Sequence, residues 1–442
     1  MFEKSKKSTS RRILTPVVSC VATMACVATL AAVPASAQIF PEYHNEGRIF
    51  GEDLPQGETV RTRERPELDA LGIHAGSFFI FPSLRQNFTY DDNVFATDGN
   101  EKSDVVYRLQ PNVAVRSDWN QHSLNITAGA DIGFYFDYDS ENYEDYYTAV
   151  SGLVNVTRNT NIRASGLFSH EHQSRGNPDD VGGADPTELN RYRAGFSGSH
   201  RFNRIAVTAG GGFERVDFDD VDAVGGGKID NDDRDRSIYT PALEVGYQIR
   251  PQYVAFIRGS GEFVRYTRGV DRNGFDRDSD GYRVVGGAKI DITNVIFGDV
   301  FAGYGYQSYE DPAFSSIDGF VFGGDMKWNP TRLTTVGLIL TRQLTETIQD
   351  NSSGYVSSSA GVTVDHELLR NLILSAFFGY RNDDYDGTAR NDDNFRAGIG
   401  ANYAMNRHFI LNARYAYRTR NSNTADEDYT QNTISGGLTA RW

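Results

Sequence analysis

Val105-Val106-Tyr107-Arg108-Leu109-Gln110-Pro111-Asn112-Val113-Ala114-Val115-Arg116 is followed, after a short turn, by Leu124-Asn125-Ile126-Thr127-Ala128-Gly129-Ala130-Asp131-Ile132-Gly133-Phe134-Tyr135-Phe136, and this stretch decides how the chain folds. In the first arm Val105, Tyr107, Leu109, Val113 and Val115 alternate with Arg108, Gln110, Asn112 and Arg116. In the second, Leu124, Ile126, Ile132 and Phe134 alternate with Asn125, Thr127, Asp131 and Tyr135. Successive side chains of a strand point to opposite faces, so each arm has one apolar face and one largely polar face. A helix, with period 3.6, cannot carry this pattern. Each arm also outruns the common strand of about 5–6 residues and suits a tilted strand crossing a bilayer, which needs about 9–11.

The rest of the chain repeats this hairpin at about 20 residues per strand. Short turns are expected at residues 117–122, 158–161, 201–204, 250–252, 292–294, 329–331, 367–371 and 406–408. Long loops are expected at 91–104, 137–145, 173–190, 217–236, 267–281, 309–319, 345–354, 382–393 and 421–428. Seventeen connections imply eighteen strands. The count falls to sixteen if the first strand or a weak middle hairpin is misread. Even strand number, short periplasmic turns and longer outside loops are the pattern of bacterial transmembrane barrels. The expected fold is therefore all-β, an antiparallel up-and-down barrel over residues 76–442.

Residues 1–37 read as a signal peptide. Lys4, Lys6, Lys7, Arg11 and Arg12 make a basic start, Ile13 to Val33 is small and apolar, and Ala35-Ser36-Ala37 precedes a cleavage point between Ala37 and Gln38. Val17-Val18-Ser19-Cys20 loosely resembles a lipobox, but a lipoprotein would be left with a very short apolar core. Both cysteines, Cys20 and Cys26, lie in this segment, so the mature chain has neither disulfides nor thiol chemistry. Its removal takes away one acid and five bases, moving the net charge from −15 to −19. That acidity argues against nucleic acid as a partner. Residues 38–75 are polar and irregular, with charges crowded into Glu58-Thr59-Val60-Arg61-Thr62-Arg63-Glu64-Arg65. They read as a periplasmic leader: a disordered tail, a small plug, or a docking strip for a periplasmic partner.

Tyr253, Tyr282, Tyr304, Tyr306, Trp328, Tyr380, Tyr403, Tyr415 and Tyr417 mostly fall on the apolar face, several near strand ends. Aromatic residues with a polar handle form girdles at the headgroup level. The last strand sets Ile434, Gly436, Leu438, Ala440 and Trp442 on one face. A terminal aromatic such as Trp442 resembles the signal read by the barrel assembly machinery of Gram-negative outer membranes.

Gly76-Ser77-Phe78-Phe79-Ile80-Phe81-Pro82-Ser83-Leu84 continues through Arg85-Gln86-Asn87-Phe88-Thr89 into Tyr90-Asp91-Asp92-Asn93-Val94-Phe95-Ala96-Thr97. With the preceding Arg65-Pro66-Glu67-Leu68-Asp69-Ala70-Leu71-Gly72-Ile73, it resembles the opening of an alphaproteobacterial outer-membrane β-barrel porin family. Leu68 and Ala70 depart from that family's frequent Tyr and Pro. The resemblance runs from Arg65 to the C-terminus, through Ser117-Asp118-Trp119 and His366-Glu367-Leu368-Leu369-Arg370-Asn371. It implies a barrel without a catalytic motif and a link to exopolysaccharide or capsule export. The implied partners are outer-membrane lipid and lipopolysaccharide, the assembly machinery and periplasmic polysaccharide-export proteins.

The face expected to point inward is rich in charge: Arg85, Arg108, Arg116, Arg163, Arg193, Arg258, Arg283, Lys289, Arg396, Arg414 and Arg418 stand against Asp131, Glu214, Glu244, Glu262, Asp291, Asp299 and Asp325. Charges lining an aqueous pore set its selectivity; a salt-bridge network that fills the lumen is the competing reading. One register slip would move every one of these residues to the other face. Inward aromatics (Tyr135, Phe256, Phe297, Phe301, Phe377) are few for a sugar conduit. The acidic loops read as a solvated surface. Asp276-Arg277-Asp278-Ser279-Asp280-Gly281 matches the start of a calcium loop through Asp276, Asp278 and Asp280. Gly287, however, stands where an EF-hand needs its twelfth-position Glu. No zinc-protease, nucleophile-elbow or phosphate-loop pattern occurs. His170 or His200 beside a serine is the nearest approach to an outer-membrane lipase. The expected function is a passive channel for polar solutes or a part in polysaccharide export; the rival is a structural or adhesive barrel with a filled lumen and working loops.

Overall fold

The protein is described by a computed structural model covering residues 57–442 apart from 294, 350 and 351; the expected signal peptide and its cleavage site lie outside the described residues. Eighteen long strands run β1 Phe78–Asp91, β2 Asp104–Ser117, β3 His122–Tyr135, β4 Tyr143–Thr157, β5 Thr160–His172, β6 Glu188–Phe202, β7 Ile205–Phe218, β8 Arg236–Arg250 and β9 Tyr253–Tyr266. They continue as β10 Ser279–Ile292, β11 Ile296–Tyr309, β12 Ile317–Thr331, β13 Thr334–Glu346, β14 Gly354–Leu369, β15 Leu372–Tyr385, β16 Asn391–Ala404, β17 Phe409–Ser422 and β18 Tyr429–Arg441. Each pairs antiparallel with the next, and β18 returns to β1 from Ser83↔Arg441 to Asp91↔Thr433, closing the sheet. Closure leaves no unpaired strand among the eighteen, which is what a sheet in hydrocarbon requires.

Residues 78–80 of β1 project past the end of β18. A short strand, Ile73–Ala75, turns back through Gly76-Ser77 and pairs with them, from Ile73↔Ile80 to Ala75↔Phe78. The two-residue turn puts Gly76 at φ 63°, a conformation glycine adopts without a Cβ clash. The seam's exposed edge is thereby covered, which keeps it from pairing with another chain.

The alternation seen in the sequence becomes an outer and an inner wall. Ile126 and Phe134 of β3, Ile257 of β9, Tyr282 of β10, Phe320 of β12 and Ile399 of β16 stand exposed on the outside, Ile257 at 66% and Ile399 at 62%. An apolar belt of this extent is costly in water at about 25 cal/mol per Å2 and is at home in lipid. Tyr282, Tyr304, Trp328, Tyr403 and Tyr415 belong to it, whereas Tyr380 is buried and donates its hydroxyl to Asp393. No helix is long and apolar enough to cross a membrane among the described residues. Eight short connections gather at the end that carries both the start of β1 and the end of β18; nine longer loops gather at the other.

Candidate functional site

The inner wall has two electrostatic halves. From β6 to β12 bases and acids are matched. Glu214 of β7 accepts from Arg191 and Arg193 of β6, with Arg193 Nε 2.8 Å from Oε2. Glu244 of β8 is gripped by Arg258 Nε at 3.0 Å and Lys289 Nζ at 2.8 Å, and Arg258 is only 1% exposed. Lys327 reaches Asp325 at 2.5 Å, and the fully buried Asp299 sits between Lys289 and Asp325 in the register. Glu262 and Arg283 occupy adjacent strands on the same face. A buried carboxylate is tolerated only beside such partners, which here stiffen the wall.

From β15 round to β3 guanidinium groups predominate. Arg108 bonds Asp131 through Nε at 3.2 Å and also through Nη2. Arg85 donates to Thr439, Arg116 stacks over Phe81 with 5.0 Å to the ring centre, and Arg414 stacks over Phe377 at 4.8 Å. Arg396 lies directly across the ladder from Arg418. Arg163 of β5 extends the inner face with Asn161 as one partner, at 3.4 Å. The fourteen side chains thus fall on one parity of their strands, the inner face; the register shifts at Gln248/Arg250 and Asn155/Thr157 lie beyond them.

The leader enters this lumen at the short-turn end. Gly57 backs so closely onto Phe297 that a Cβ would lie 2.4 Å from the ring. The Val60 N–H donates to Thr335 Oγ1 at 2.9 Å, and the Val60 side chain is 1% exposed. Arg61 reaches Asp365 through Nε at 2.8 Å and Ser375 through Nη2 at 2.6 Å. Arg65 meets Glu367 at 2.6 Å with both groups buried, and Arg370 meets Glu67 at 2.6 Å outside. The crowded charges of residues 58–65 can be read as a solvated tail from the sequence; they are instead matched to acids on β14. Between leader and wall lies a cavity of about 110 Å3 lined by Arg61, Arg85, Arg108, Gln110, Asn412 and Arg414 among others.

At the other end one loop crosses the mouth. Residues 173–187, between β5 and β6, are anchored on their own side by the bidentate pair Arg175–Glu141 at 2.7 and 2.9 Å. The loop then meets the β13–β14 connection eight strands further round, where Thr347 donates to Asp179 at 2.7 Å and Gln349 to the Pro178 carbonyl at 2.5 Å. Arg277, 4% exposed, fixes that connection by donating to the Thr347 and Ser352 carbonyls at 2.7 and 3.1 Å. The acidic loops carry their own arginines: Arg268 holds Asp230 below the usual carboxylate range, and Arg272 meets Asp233 at 2.8 Å. Burial pushes the neighbouring Arg234 down to about 10.

Asp276, Asp278 and Asp280 do not converge. Asp276 accepts from the Asp278 N–H, Asp278 from the Tyr266 N–H, and Asp280 pairs with Arg265. Among the described residues the carboxylates that do come together, with oxygens within 4.8 Å, are Asp220, Asp230 and Asp232, and Arg268 already serves two of them. His170 bonds Asn190 while Ser169 of the opposite face bonds Glu171; His200 bonds Thr160 at 2.8 Å. Trp442 donates its N–H to the Pro82 carbonyl at 3.2 Å beside the seam.

Residues 65–442 match the family described as "Putative beta-barrel porin 2". The chain belongs to this porin family. Family and fold make it an outer-membrane β-barrel protein of a Gram-negative bacterium, with the architecture of a channel. This porin is similar to solved Pseudomonas aeruginosa barrels. OpdL shares 10% identity with a TM-score of 0.41 over 83% of this chain and 100% of that one. OpdK with vanillate shares 13% with 0.43 over 82% and 99%, and OccK2 (OpdF) in complex with glucuronate 10% with 0.44 over 82% and 98%. Among curated proteins none matches the porin's sequence significantly.

Proposed function

We propose that this porin is a passive channel for small polar solutes, with two narrowings: the leader at the periplasmic end and the β5–β6 loop at the outer mouth. The observation that carries the reading is the closed eighteen-strand wall with a charged inner face. A barrel of this size is wide enough for an aqueous path unless something fills it, and unequal halves of charge give that path selectivity. Export of a polysaccharide is a poorer fit. Sugar rings stack on open aromatic faces, whereas Phe256 is covered by Arg258 and Lys289, Phe377 by Arg414, and Phe297 by Gly57. Removal of residues 1–37 during export and recognition of Trp442 during assembly belong to the same proposal.

The test is single-channel conductance in a planar bilayer, for the exported chain and for one lacking residues 38–69. Stable, ion-selective steps that grow on truncation are expected. Silence from both chains, with folding verified by heat-modifiable gel mobility, would refute the channel and leave the loops as the place of function.

A further inference from the structure

We propose that leader and barrel wall together form a binding site for a small anionic solute, carboxylate or phosphate in chemistry, and that filling it holds the leader in place. The proposal rests on the channel reading only for how the solute arrives.

Four guanidinium groups border the cavity, from Arg61, Arg85, Arg108 and Arg414, and no aspartate or glutamate borders it. Asp131 and Asp365, which pair with Arg108 and Arg61, stand outside the lining. Counting these two, the group keeps a surplus of about two positive charges in a region shielded from bulk water, where such a surplus attracts an anion strongly. The remaining lining is neutral and mostly polar, with Phe377, Ile399 and Ala413 as its apolar part. Asn412 Nδ2 is a buried amide donor with no protein partner, open to a water or a ligand oxygen. The volume, about 110 Å3, holds roughly three to four waters at about 30 Å3 each, or one small anion. Arginine donors arranged in planes suit the two oxygens of a carboxylate or the three of a phosphoryl group.

Arg61 makes this site more than a feature of the wall. It belongs to the leader, and its Nε and Nη2 are committed to Asp365 and Ser375, leaving Nη1 for a ligand. The other three arginines belong to β1, β2 and β17. An anion in the cavity therefore touches both parts, and its affinity is higher when the leader is docked than when it is not. By linkage, the same factor must favour docking when the anion is bound. The site is a solute-dependent clamp on the periplasmic end.

Trypsin reads docking directly, since it cuts after Arg61 and Arg63 only when the leader leaves the wall. With protein purified from outer membranes, 10 mM succinate or inorganic phosphate should slow leader cleavage at least fivefold relative to sodium chloride of matched ionic strength. Glycerol should do nothing. Arg85→Gln and Arg414→Gln should each abolish that protection while heat-modifiable mobility stays unchanged. Arg342→Gln, which alters a half-buried arginine outside the cavity, should keep it. Equal cleavage in succinate, phosphate and chloride would overturn the proposal, as would protection that survives both lumen variants. Ion-selective conductance without anion protection would sink the clamp and leave the channel standing. Protection without conductance would keep the clamp and sink the channel.

Discussion

Replacing Glu367 by glutamine should release the leader. Glu367 is 5% exposed and lies 2.6 Å from Arg65, itself 6% exposed, and Arg63 approaches the same carboxylate at 3.6 Å. Removing one charge of a buried pair strands the other and costs about 3–5 kcal/mol. The amide can still accept one hydrogen bond, so the lower figure applies to Glu367→Gln. At about 1.4 kcal/mol per decade, the ratio of docked to undocked leader falls on the order of a hundredfold. Cleavage of a segment that opens and closes quickly tracks its open population. Trypsin should therefore remove the leader about a hundred times faster than from the unaltered protein, with the barrel intact by gel mobility. Arg65→Gln in the same chain should restore part of the resistance, since it removes the stranded charge. A cleavage rate within twofold of the original would refute the account of how the leader is held.

Three further outcomes follow from the same geometry. Arg277→Ala removes a buried side chain that donates to two carbonyls of the β13–β14 connection, at about 1.5–3 kcal/mol for each hydrogen bond from a charged group; single-channel recordings should show frequent brief closures or openings absent from the parent. Asp235 is pushed up to about 6 by burial, then by Asp217 and Asp232, against the lowering hydrogen bond from the Phe218 N–H. Its folded pKa lies above the unfolded one, so the loop's stability is full below about pH 4, falls as pH rises to about 6 and is flat beyond. Hydrogen exchange of residues 219–235 should follow that window, and Asp235→Asn should remove it. Gly437 sits at the seam, where a Cβ would lie 2.0 Å from the Gln86 carbonyl oxygen; Gly437→Val should cost about 1–3 kcal/mol or more through overpacking, read as a lower temperature of gel-mobility shift.

The barrel was legible because its signal is local. Period-two alternation in Val105–Phe136 and its repeats assigns strands, faces and connections without any knowledge of neighbours, and the eight short and nine long connections follow from it. The inward direction of Arg108, Glu244 and Arg414 follows from the same parity. Which charges meet does not. Arg61 and Arg65 find partners 302 to 314 residues away, and nothing within the leader's own charge pattern distinguishes a solvated strip from one half of an ion-pair set. The β5–β6 loop is similarly opaque, since Thr347 and Gln349 belong to a connection eight strands away that it meets only across the closed barrel's mouth. Asp276, Asp278 and Asp280 mislead for the opposite reason: spacing suggests ligands, while adjacent N–H groups and Arg265 take the carboxylates one by one.

The wide separation of the leader from its partners also orders events in assembly. Residues 57–67 are made before any barrel strand, yet Asp365, Glu367 and Ser375 exist as a docking face only after β14 and β15 have paired, late in the chain. Long-range contacts of this kind form late because loop-closure entropy must be overcome first. Until β14 and β15 pair, the leader's three arginines have no wall partners to cover them and stay open to proteases. Docking then covers them, so protection of residues 57–67 reports a wall complete through β15.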